Sequence, residues 1–453
     1  VHPAIGVADN VAYIGVWFPC EVKKVTKKDD ESGSGSGDKS ESRSGKGGKK
    51  REERPKITDL LFLVTSNKEV LLANDEELIK KGWRLSYAPL KIPGKWPIEG
   101  VRKYLSGSKV DPVGLLKRII EAWEEYVEID DPREYLLFAL WDAGTYFHTL
   151  FNTYPYLYIG GMKRSGKTKV LTVHSCLAFN ALFSNNMSTS SIFRLIQNAR
   201  GTLLIDETEK LSNPERALEF RSILLSGYKR GALVYRVEKT KKEVLVPEAF
   251  EVYSPKALAN IHGLEDVLED RCITTIMKRG KNQKITNKEV ELESELWSEL
   301  RSGLHQLFLD HWHEVKCIYD SIGEPSELSE QVNFVRVKGN SADLKALRSR
   351  YWELWKPLIA IAMFFDQKIK EQGLSPEVIT KFTYSLNSLT SPTETEKSEG
   401  ISTKFTYSLN SLTSLIISLA LEKVKASIVE DITETGEAIL ISTLLSIVDE
   451  DGY

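Results

Sequence analysis

Short runs of apolar and β-branched residues dominate the start of the chain. Residues 11–18 read Val-Ala-Tyr-Ile-Gly-Val-Trp-Phe, which predicts a strand, and residues 60–93 again alternate in the manner of strands. Residues 27–56 differ, because they are rich in Gly, Ser, Lys and Glu, a composition that buries no core. The mixed charge of this linker would allow contact with a phosphate backbone, but solvated disorder is the simpler interpretation. We therefore predict a β-rich N-terminal domain over residues 1–104 that contains a disordered linker at 27–56.

The rest of the chain divides into three parts by its periodicity. Residues 105–153 carry apolar positions at helical spacing, which predicts a helical connector. Residues 154–281 alternate short strands with helices, which predicts an α/β core with a parallel sheet and crossover helices. Residues 282–453 predict a helical C-terminal region, with a core-facing stripe of Trp297, Leu300, Leu304 and Leu307.

One segment of the C-terminal region is duplicated. Residues 381–390 recur at 404–413 with the same sequence, Lys-Phe-Thr-Tyr-Ser-Leu-Asn-Ser-Leu-Thr. Two copies are too few for a solenoid, and a recent tandem duplication explains them without a function.

Composition narrows the class of protein. The 453 residues suffice for two or three domains, and the 41% hydrophobic and 28% charged fractions are those of a soluble globular protein. A net charge of -3 gives no global basic field, so a nucleic-acid contact requires a local patch. The 4 cysteines form no CxxC pair, which argues against a zinc ribbon or a disulfide framework and favours the cytoplasm. We find no signal peptide or membrane-length apolar run, and Val1 in place of Met suggests a fragment that lacks an upstream domain.

A phosphate-binding motif follows the apolar segment 156–159. Its spacing, Gly-x-x-x-x-Gly-Lys-Thr, lies between a predicted strand and the helical segment 170–178, which is the context that this motif requires. The glycines allow backbone amides to surround phosphates, and the start of the helix favours negative charge. We predict that Lys167 contacts the β- and γ-phosphates of ATP and that Thr168 is a Mg²⁺ ligand. The motif residues predicted to bind ATP are Gly161, Met162, Lys163, Arg164, Ser165, Gly166, Lys167 and Thr168.

An acidic pair, Asp206 and Glu207, ends the apolar segment 202–205. Because this pair lies where a buried strand leaves the core, both carboxylates are expected to face the ligand. We predict that Asp206 binds Mg²⁺ through water, as part of the ATP site, and that Glu207 polarises the attacking water. An acidic pair after an apolar strand is common, and it is the phosphate-binding motif that makes this one informative.

Two further polar residues follow in a recognisable order. A short predicted strand ends in Asn260, and a short predicted helix over 264–270 ends before Arg271 and another strand. This order resembles sensor 1 and the arginine finger of AAA+ ATPases. The resemblance implies that Asn260 orients the lytic water and that Arg271 contacts the ATP of a neighbouring subunit. The simpler alternatives are a turn residue for Asn260, and for Arg271 a local salt bridge to Asp270 or Glu269.

A predicted hairpin lies between the acidic pair and Asn260. Residues 231–237 and 243–246 predict two strands with a lysine-rich tip. It resembles the hairpin by which MCM-type and superfamily 3 helicases place lysines in a central channel, which implies contact with DNA phosphates. A solvated charged turn is the alternative. The residues predicted to bind DNA are Lys239, Lys241 and Lys242.

Taken with these motifs, residues 154–365 resemble the AAA+ helicase-like proteins of phages, plasmids and integrated elements, which are often fused to a primase–polymerase domain. The resemblance implies an αβα ATPase module and a helical lid, with ATP and Mg²⁺ as cofactors. It also implies a hexameric homo-oligomer, single-stranded or forked DNA as partner, and no membrane. The segments that carry it are 161–168, 203–207, 227–231, 268–271, 278–279 and 350–362.

We therefore expect an ATP-dependent DNA helicase that acts in replication of a mobile element. A primase–polymerase partner would lie outside this chain, since no primase motif is present in it. An AAA+ initiator or remodelling ATPase that does not unwind processively is the alternative among enzymes. A DNA-binding switch that uses ATP only to assemble is the alternative from another class.

Overall fold

The computed structural model describes residues 1–22, 56–91, 95–184, 189–206, 214–239, 245–260, 264–324, 347–374 and 411–433. Several predictions from the sequence lie outside these ranges. They concern residues 27–55 of the linker, the first copy of the duplicated segment and most of the second, and the residues Glu207, Lys241 and Lys242.

An antiparallel sheet forms the first part of the fold. Its four strands follow one another in space as they do along the chain, and the third strand pairs with the second over the whole length of the third. The strand pattern predicted as far as residue 93 is wrong beyond Leu72, because a short helix follows. Asn74 caps that helix by accepting a hydrogen bond from the backbone N–H of Glu77 at 2.9 Å. The elements are β1 Ile5–Ala8, β2 Val11–Val22, β3 Lys56–Thr65, β4 Val70–Leu72, α1 Asp75–Lys80 and α2 Ile98–Leu105.

A parallel sheet of five strands forms the centre of the molecule, as the alternation of strands and helices predicts. The strands lie in the order β11-β5-β10-β7-β6, so β10 separates the strand before the phosphate-binding motif from the strand before Asp206. The fold is therefore mixed α/β. The strands are β5 Tyr156–Gly161, β6 Leu182–Ser184, β7 Leu203–Ile205, β10 Lys256–Ala259 and β11 Cys272–Met277.

Helices connect these strands and cover the sheet. The helices between β5 and β11 are α5 Lys167–Leu177, α6 Thr189–Ala199, α7 Pro214–Ser226 and α8 Asp266–Glu269. A separate antiparallel hairpin, β8 Leu233–Lys239 with β9 Leu245–Glu251, follows α7. Its inner face packs on α6, where the rings of Phe193 and Phe250 lie 4.4 Å apart between centroids.

A group of longer helices packs beside the sheet. The stripe predicted to face the core is confirmed, since Trp297 and Leu300 are fully buried. None of the described helices combines the length and the apolar character that crossing a bilayer requires. The group comprises α3 Pro112–Tyr126, α4 Arg133–Phe147, α10 Glu295–Ser321, α11 Arg350–Glu371 and α12 Leu412–Thr433, and a short helix, α9 Gln283–Thr286, precedes α10.

A buried polar contact joins the helix after the phosphate-binding motif to the connector helices. Asp142 of α4 and His174 of α5 are fully buried, and His174 Nδ1 lies 2.8 Å from Asp142 Oδ1. The other carboxylate oxygen of Asp142 accepts a hydrogen bond from the indole of Trp123 at 3.1 Å. Because an unpaired polar group in the core is costly, this contact fixes α5 in one position against α3 and α4.

Candidate nucleotide site

The loop between β5 and α5 has a backbone conformation that requires its glycines. Gly161 has a φ of 136° and Gly166 a φ of 91°, values that side chains disfavour. A Cβ atom on Gly161 would lie 2.4 Å from the carbonyl oxygen of Met277, so no other residue fits there without a shift. Arg164 also has a positive φ, of 66°. The loop is therefore held in a tight turn at the carboxyl end of β5.

The lysine of the motif lies inside this turn. Lys167 starts α5, and its Nζ donates hydrogen bonds to the carbonyl oxygens of Gly161 at 2.7 Å and Met162 at 2.9 Å. Gly166, which caps α5, has no side chain to satisfy the first backbone N–H groups of the helix. The ammonium and the start of the helix together give the loop positive potential, which suits phosphate.

The hydroxyl of Thr168 meets the carboxylate of Asp206. Thr168 Oγ1 donates to Asp206 Oδ2 at 2.6 Å, although the two residues are 38 positions apart in the chain. Asp206 is mostly buried, and it follows β7 directly. The hydroxyl at the start of α5 and the carboxylate after β7, completed by phosphate oxygens and water, are the kind of ligands that Mg²⁺ accepts.

A buried hydroxyl in the loop suits a polar ligand. Ser165 Oγ is buried, and within the described part of the chain it has no hydrogen-bond partner. Burial of an unpaired hydroxyl costs free energy, which a phosphate oxygen or a bound water would offset. Residues of the loop therefore fit the phosphates of a nucleotide, whereas Lys163 and Arg164 are exposed at its rim.

Asn260 lies at the same edge of the sheet. It follows β10, and its backbone N–H donates to the carbonyl oxygen of Ile159 at 3.4 Å. Because β10 runs between β5 and β7, Asn260 lies between the loop and Asp206. This is a place from which an amide can orient a water molecule near the phosphates.

Arg271 lies at the opposite edge of the sheet. It precedes β11, which runs parallel to β5 with Cys272 beside Tyr156 and Met277 beside Gly161. At about 3.3 Å per residue, Arg271 is roughly 20 Å from Gly161, farther than an arginine side chain extends. The guanidinium instead donates to the backbone carbonyls of Leu225, at 3.3 Å, and Val267. Arg271 is thus remote from the phosphate-binding loop of its own subunit.

The hairpin predicted from the sequence is present, but its first strand begins and ends two residues later than predicted, and its second strand extends to Glu251. Lys239 is the last residue of β8 and pairs with Leu245, so it belongs to the strand and not to the turn as predicted. The outer face of the hairpin is apolar and exposed: Tyr235 and Val237 each retain 65% of their accessible surface. Cross-strand pairing satisfies the backbone out to Lys239, which explains why the strand continues into the polar residues.

Two segments that carry the family resemblance, 227–231 and 350–362, contact each other. Glu353 of α11 accepts a hydrogen bond from the hydroxyl of Tyr228 at 3.2 Å. Its other carboxylate oxygen lies 3.3 Å from Nζ of Lys229. The loop between α7 and the hairpin is therefore joined to a helix of the C-terminal region.

Lys169 has a contact that the motif does not reveal. Its Nζ donates to the backbone carbonyl of Ile285 at 2.6 Å, which joins the start of α5 to α9. Burial lowers the pKa of Lys169, with a smaller contribution from the positive charge of Lys288. No periodicity or spacing in the sequence singles out this residue.

Within the described ranges, no cluster of three or more His, Cys, Asp or Glu residues is arranged to hold a metal.

Comparisons with known proteins leave the family open. No protein-family model matches the chain, and no curated protein matches it. The chain is similar to the SCCmec type IV Cch active helicase, with 8% identity and a TM-score of 0.32, over 73% of this chain and 59% of the helicase chain. It is also similar to the A form apo structure of the NrS-1 C-terminal region, with 11% identity and a TM-score of 0.27, over 64% of this chain and 72% of that one. The chain thus spans less than two thirds of the first structure, and at such TM-scores neither likeness defines the fold or the function.

Proposed function

We propose that this protein is a P-loop ATPase of the AAA+ class that works as a ring-shaped DNA helicase in the replication of a mobile genetic element. The observation that carries the proposal is the 2.6 Å hydrogen bond between Thr168 and Asp206, next to the glycine-rich loop. Two motifs that the sequence places apart meet at the carboxyl ends of parallel strands, where α/β folds bind their ligands. The fold and this contact together support an ATP site.

Each residue of the site has a proposed part. Lys167 and the loop amides hold the phosphates, and Thr168 and Asp206 hold Mg²⁺, directly and through water. Asn260 and Glu207 orient and polarise the water that attacks the γ-phosphate. When bound, Mg²⁺ neutralises charge on the phosphate oxygens.

The position of Arg271 supports an oligomer. An arginine that stabilises transition-state charge must lie near the phosphates, and Arg271 is about 20 Å of strand away from its own loop. A neighbouring subunit can bring this edge to a second nucleotide site, because a head-to-tail interface that closes on itself forms a ring. The number six rests on the family resemblance alone.

The case for DNA rests on the hairpin and on the same resemblance. Lys239, Lys241 and Lys242 are clustered in a chain of net charge -3. A ring of such hairpins would concentrate positive charge on a strand that passes through it. An initiator or remodelling ATPase that melts DNA without travelling shares these features and differs only in activity.

ATP hydrolysis measured with and without single-stranded DNA, together with negative-stain imaging, tests the proposal. We expect rings whose turnover rises with single-stranded DNA and which displace the second strand of a forked duplex. Stimulated turnover without strand displacement would indicate the initiator or remodelling ATPase. DNA binding without turnover would indicate an ATP-regulated switch. Turnover that ignores DNA would overturn the DNA part of the proposal.

A further inference from the structure

Three donor side chains meet the last turn of α7, at the edge of the sheet opposite the nucleotide site. The hydroxyl of Tyr156 donates to the carbonyl oxygen of Leu224 at 2.9 Å, and Arg271 Nε donates to that of Leu225 at 3.3 Å. Lys256 Nζ lies 3.3 Å from the carbonyl oxygen of Gly227, just past the helix. The carbonyls at the end of a helix lack partners within the helix, so these side chains fix where α7 ends.

The lysine of this group is an unusual choice for its position. Lys256 is fully buried at the start of β10, and its ammonium also donates to the backbone carbonyls of Val252 at 3.1 Å and Ser254 at 3.0 Å. Burial lowers the pKa of Lys256 well below its ordinary value. The negative end of the helix dipole of α7 offsets part of that cost. Among its recorded hydrogen bonds, Lys256 donates to three carbonyl oxygens and to the hydroxyl of Ser254, so a buried lysine supplies the donors that these groups need.

Close packing leaves the end of α7 little freedom. A Cβ atom on Gly227 would lie 2.4 Å from the carbonyl oxygen of Val252 and 2.5 Å from Lys256 Nζ. Glycine is therefore required at position 227, just after the end of α7. The chain then continues through Tyr228, whose hydroxyl is bonded to Glu353 of α11, into β8 of the hairpin.

The three donor side chains differ in how readily they can break their hydrogen bonds to the end of α7. Tyr156 and Lys256 are fully buried, whereas Arg271 is only partly buried and lies at the edge that the proposed ring presents to a neighbour. The bonds from Arg271 to Leu225 and Val267 are made within one subunit. A guanidinium that turns to the phosphates of a neighbouring subunit must give up these two carbonyls.

We infer that the end of α7 couples the ATP bound by one subunit to the hairpin of the next, with Tyr156 and Lys256 as positioning residues and Arg271 as the part that moves. This inference rests on the proposed function, because it requires Arg271 to act in a neighbouring site. Tyr156 and Lys256 hold the carbonyl of Leu225 where Arg271 can bind it in the absence of a neighbour's ATP. Release of Arg271 then loosens the segment that leads from α7 into β8.

Hydrogen exchange in mixed rings tests the movement directly. Subunits that carry Lys167→Ala and are labelled with ¹⁵N are mixed with an excess of unlabelled wild type, so that mass spectrometry reads only the labelled subunits. These cannot use ATP of their own but still offer Arg271 to a neighbour. On addition of a non-hydrolysable ATP analogue, we expect amides of residues 225–233 in the labelled subunits to exchange about fivefold faster, the usual worth of one lost hydrogen bond.

A second substitution supplies the control for this experiment. Labelled subunits that carry Lys167→Ala together with Arg271→Ala should exchange equally fast with and without the analogue, since they have nothing to release. If wild-type rings need Arg271 in trans for turnover but residues 225–233 show no response, the coupling is overturned and the proposed function stands. If turnover does not need Arg271 in trans, the ring mechanism of the proposed function fails, and the coupling fails with it.

Tyr156→Phe tests the fixed part of the contact. It removes only the hydroxyl that bonds to Leu224, and Tyr154→Phe is the matched control, because it removes a buried hydroxyl that donates to the carbonyl of Trp141 in α4 at 2.7 Å. We expect Tyr156→Phe to keep basal turnover and to lower the DNA-stimulated increase about fivefold. Tyr154→Phe should keep both. Equal loss of stimulation in the two variants would assign Tyr156 a structural role and overturn its part in coupling.

Discussion

At the scale of single residues, the candidate site depends on one short contact. Thr168 lies in the first turn of α5 and Asp206 directly follows β7, and their side chains meet because α5 packs against β7. The loop depends on positive φ angles at Gly161 and Gly166, which glycine adopts without the strain that a side chain would bring. Small changes to the side chains of Thr168 and Asp206 should therefore alter chemistry before they alter the fold, whereas a side chain at Gly161 would disturb the loop itself.

Replacement of Thr168 tests the proposed metal ligand. Thr168→Val keeps the shape of the side chain but removes the hydroxyl that binds Asp206. We expect Mg²⁺-dependent ATP hydrolysis to fall by more than about two decades, beyond the 10- to 100-fold loss typical of groups that only support a ligand. Thr168→Ser keeps the hydroxyl and should stay close to wild type. A valine variant that hydrolyses ATP normally would exclude Thr168 as a ligand.

Replacement of Glu207 separates chemistry from binding. Glu207→Gln keeps the size of the side chain but cannot polarise water as a carboxylate does. Hydrolysis should fall by about two to four decades, the usual contribution of a positioned base, while ATP binding measured by calorimetry is retained. Loss of ATP binding in this variant would instead show that Glu207 has a structural role.

At the scale of elements, the sequence predicts most helices and strands but not the contacts between distant segments. The alternation of strands and helices predicts the parallel sheet, because each of its strands is an apolar run that ends in polar or glycine residues. The helix at Asp75–Lys80 is missed because strand-like residues precede it and only Asn74 signals its start. Lys256 appears from the sequence as the polar start of a strand, and only the path of α7 shows why it is buried. Contacts between distant segments leave no periodic trace in the sequence.

The hairpin also shows what a local sequence pattern cannot predict. Its inner face follows from the pairing of Val234 with Phe250, both of which are buried. Its outer face carries Leu233, Tyr235 and Val237 at alternate positions, and all three are exposed. Apolar residues therefore stand on both faces of the hairpin, so the alternation in the sequence does not show which face is exposed. Contact with DNA phosphates requires positive charge, so the lysines of the hairpin are the residues on which to test DNA binding.

Removal of the three hairpin lysines tests contact with DNA. Replacement of Lys239, Lys241 and Lys242 by Ala should weaken binding to all sequences alike, because phosphates carry no sequence information. The dependence of binding on salt should fall by up to about 0.7 in log–log slope for each lost contact with a single strand. Basal ATP hydrolysis should survive, while DNA-stimulated hydrolysis and unwinding fall together. A triple variant that unwinds normally would place the DNA contact elsewhere in the chain.

At the scale of the whole molecule, buried histidines join parts of the fold that are distant in sequence. His2 bonds to the carbonyl of Gln197 in α6, and His305 of α10 stacks on Trp96 at 4.8 Å between ring centroids. Burial is the main cause that lowers the pKa of His2, His148 and His305 to about 3. Each must therefore stay neutral for the native packing to persist.

These histidines make stability depend on pH. Below about pH 6.5 the unfolded chain binds three protons that the folded chain does not bind, so the free energy of unfolding falls as the pH falls. The slope from the three together is about 4 kcal/mol per pH unit between about pH 6 and 4. Asp142 and Asp366, whose pKa values burial raises, oppose this trend towards the acid end.

A substitution isolates one histidine from these opposing groups. His305→Phe suits its aromatic surroundings, and it should reduce the slope of unfolding free energy against pH by about one proton, or about 1.4 kcal/mol per pH unit. Denaturant unfolding at several pH values between 6.5 and 4.5 measures this difference. An unchanged slope would mean that His305 is protonated in the folded state as readily as in the unfolded chain.

The ring itself is tested by complementation between two inactive variants. Lys167→Ala removes the charge that holds the phosphates, and Arg271→Ala removes the group that we assign to the neighbouring site. Each variant alone should form rings that fail to hydrolyse ATP. In an equal mixture, one interface in four joins an intact loop to an intact Arg271, so activity should recover to about a quarter of wild type if the sites act independently.

A control replaces the Lys167→Ala variant by a double variant that lacks both Lys167 and Arg271. No interface is then complete, and no activity should return. If rings shown to contain both single variants stay inactive at every ratio, Arg271 does not act on a neighbour, and its place at the far edge of the sheet reflects only its contact with α7.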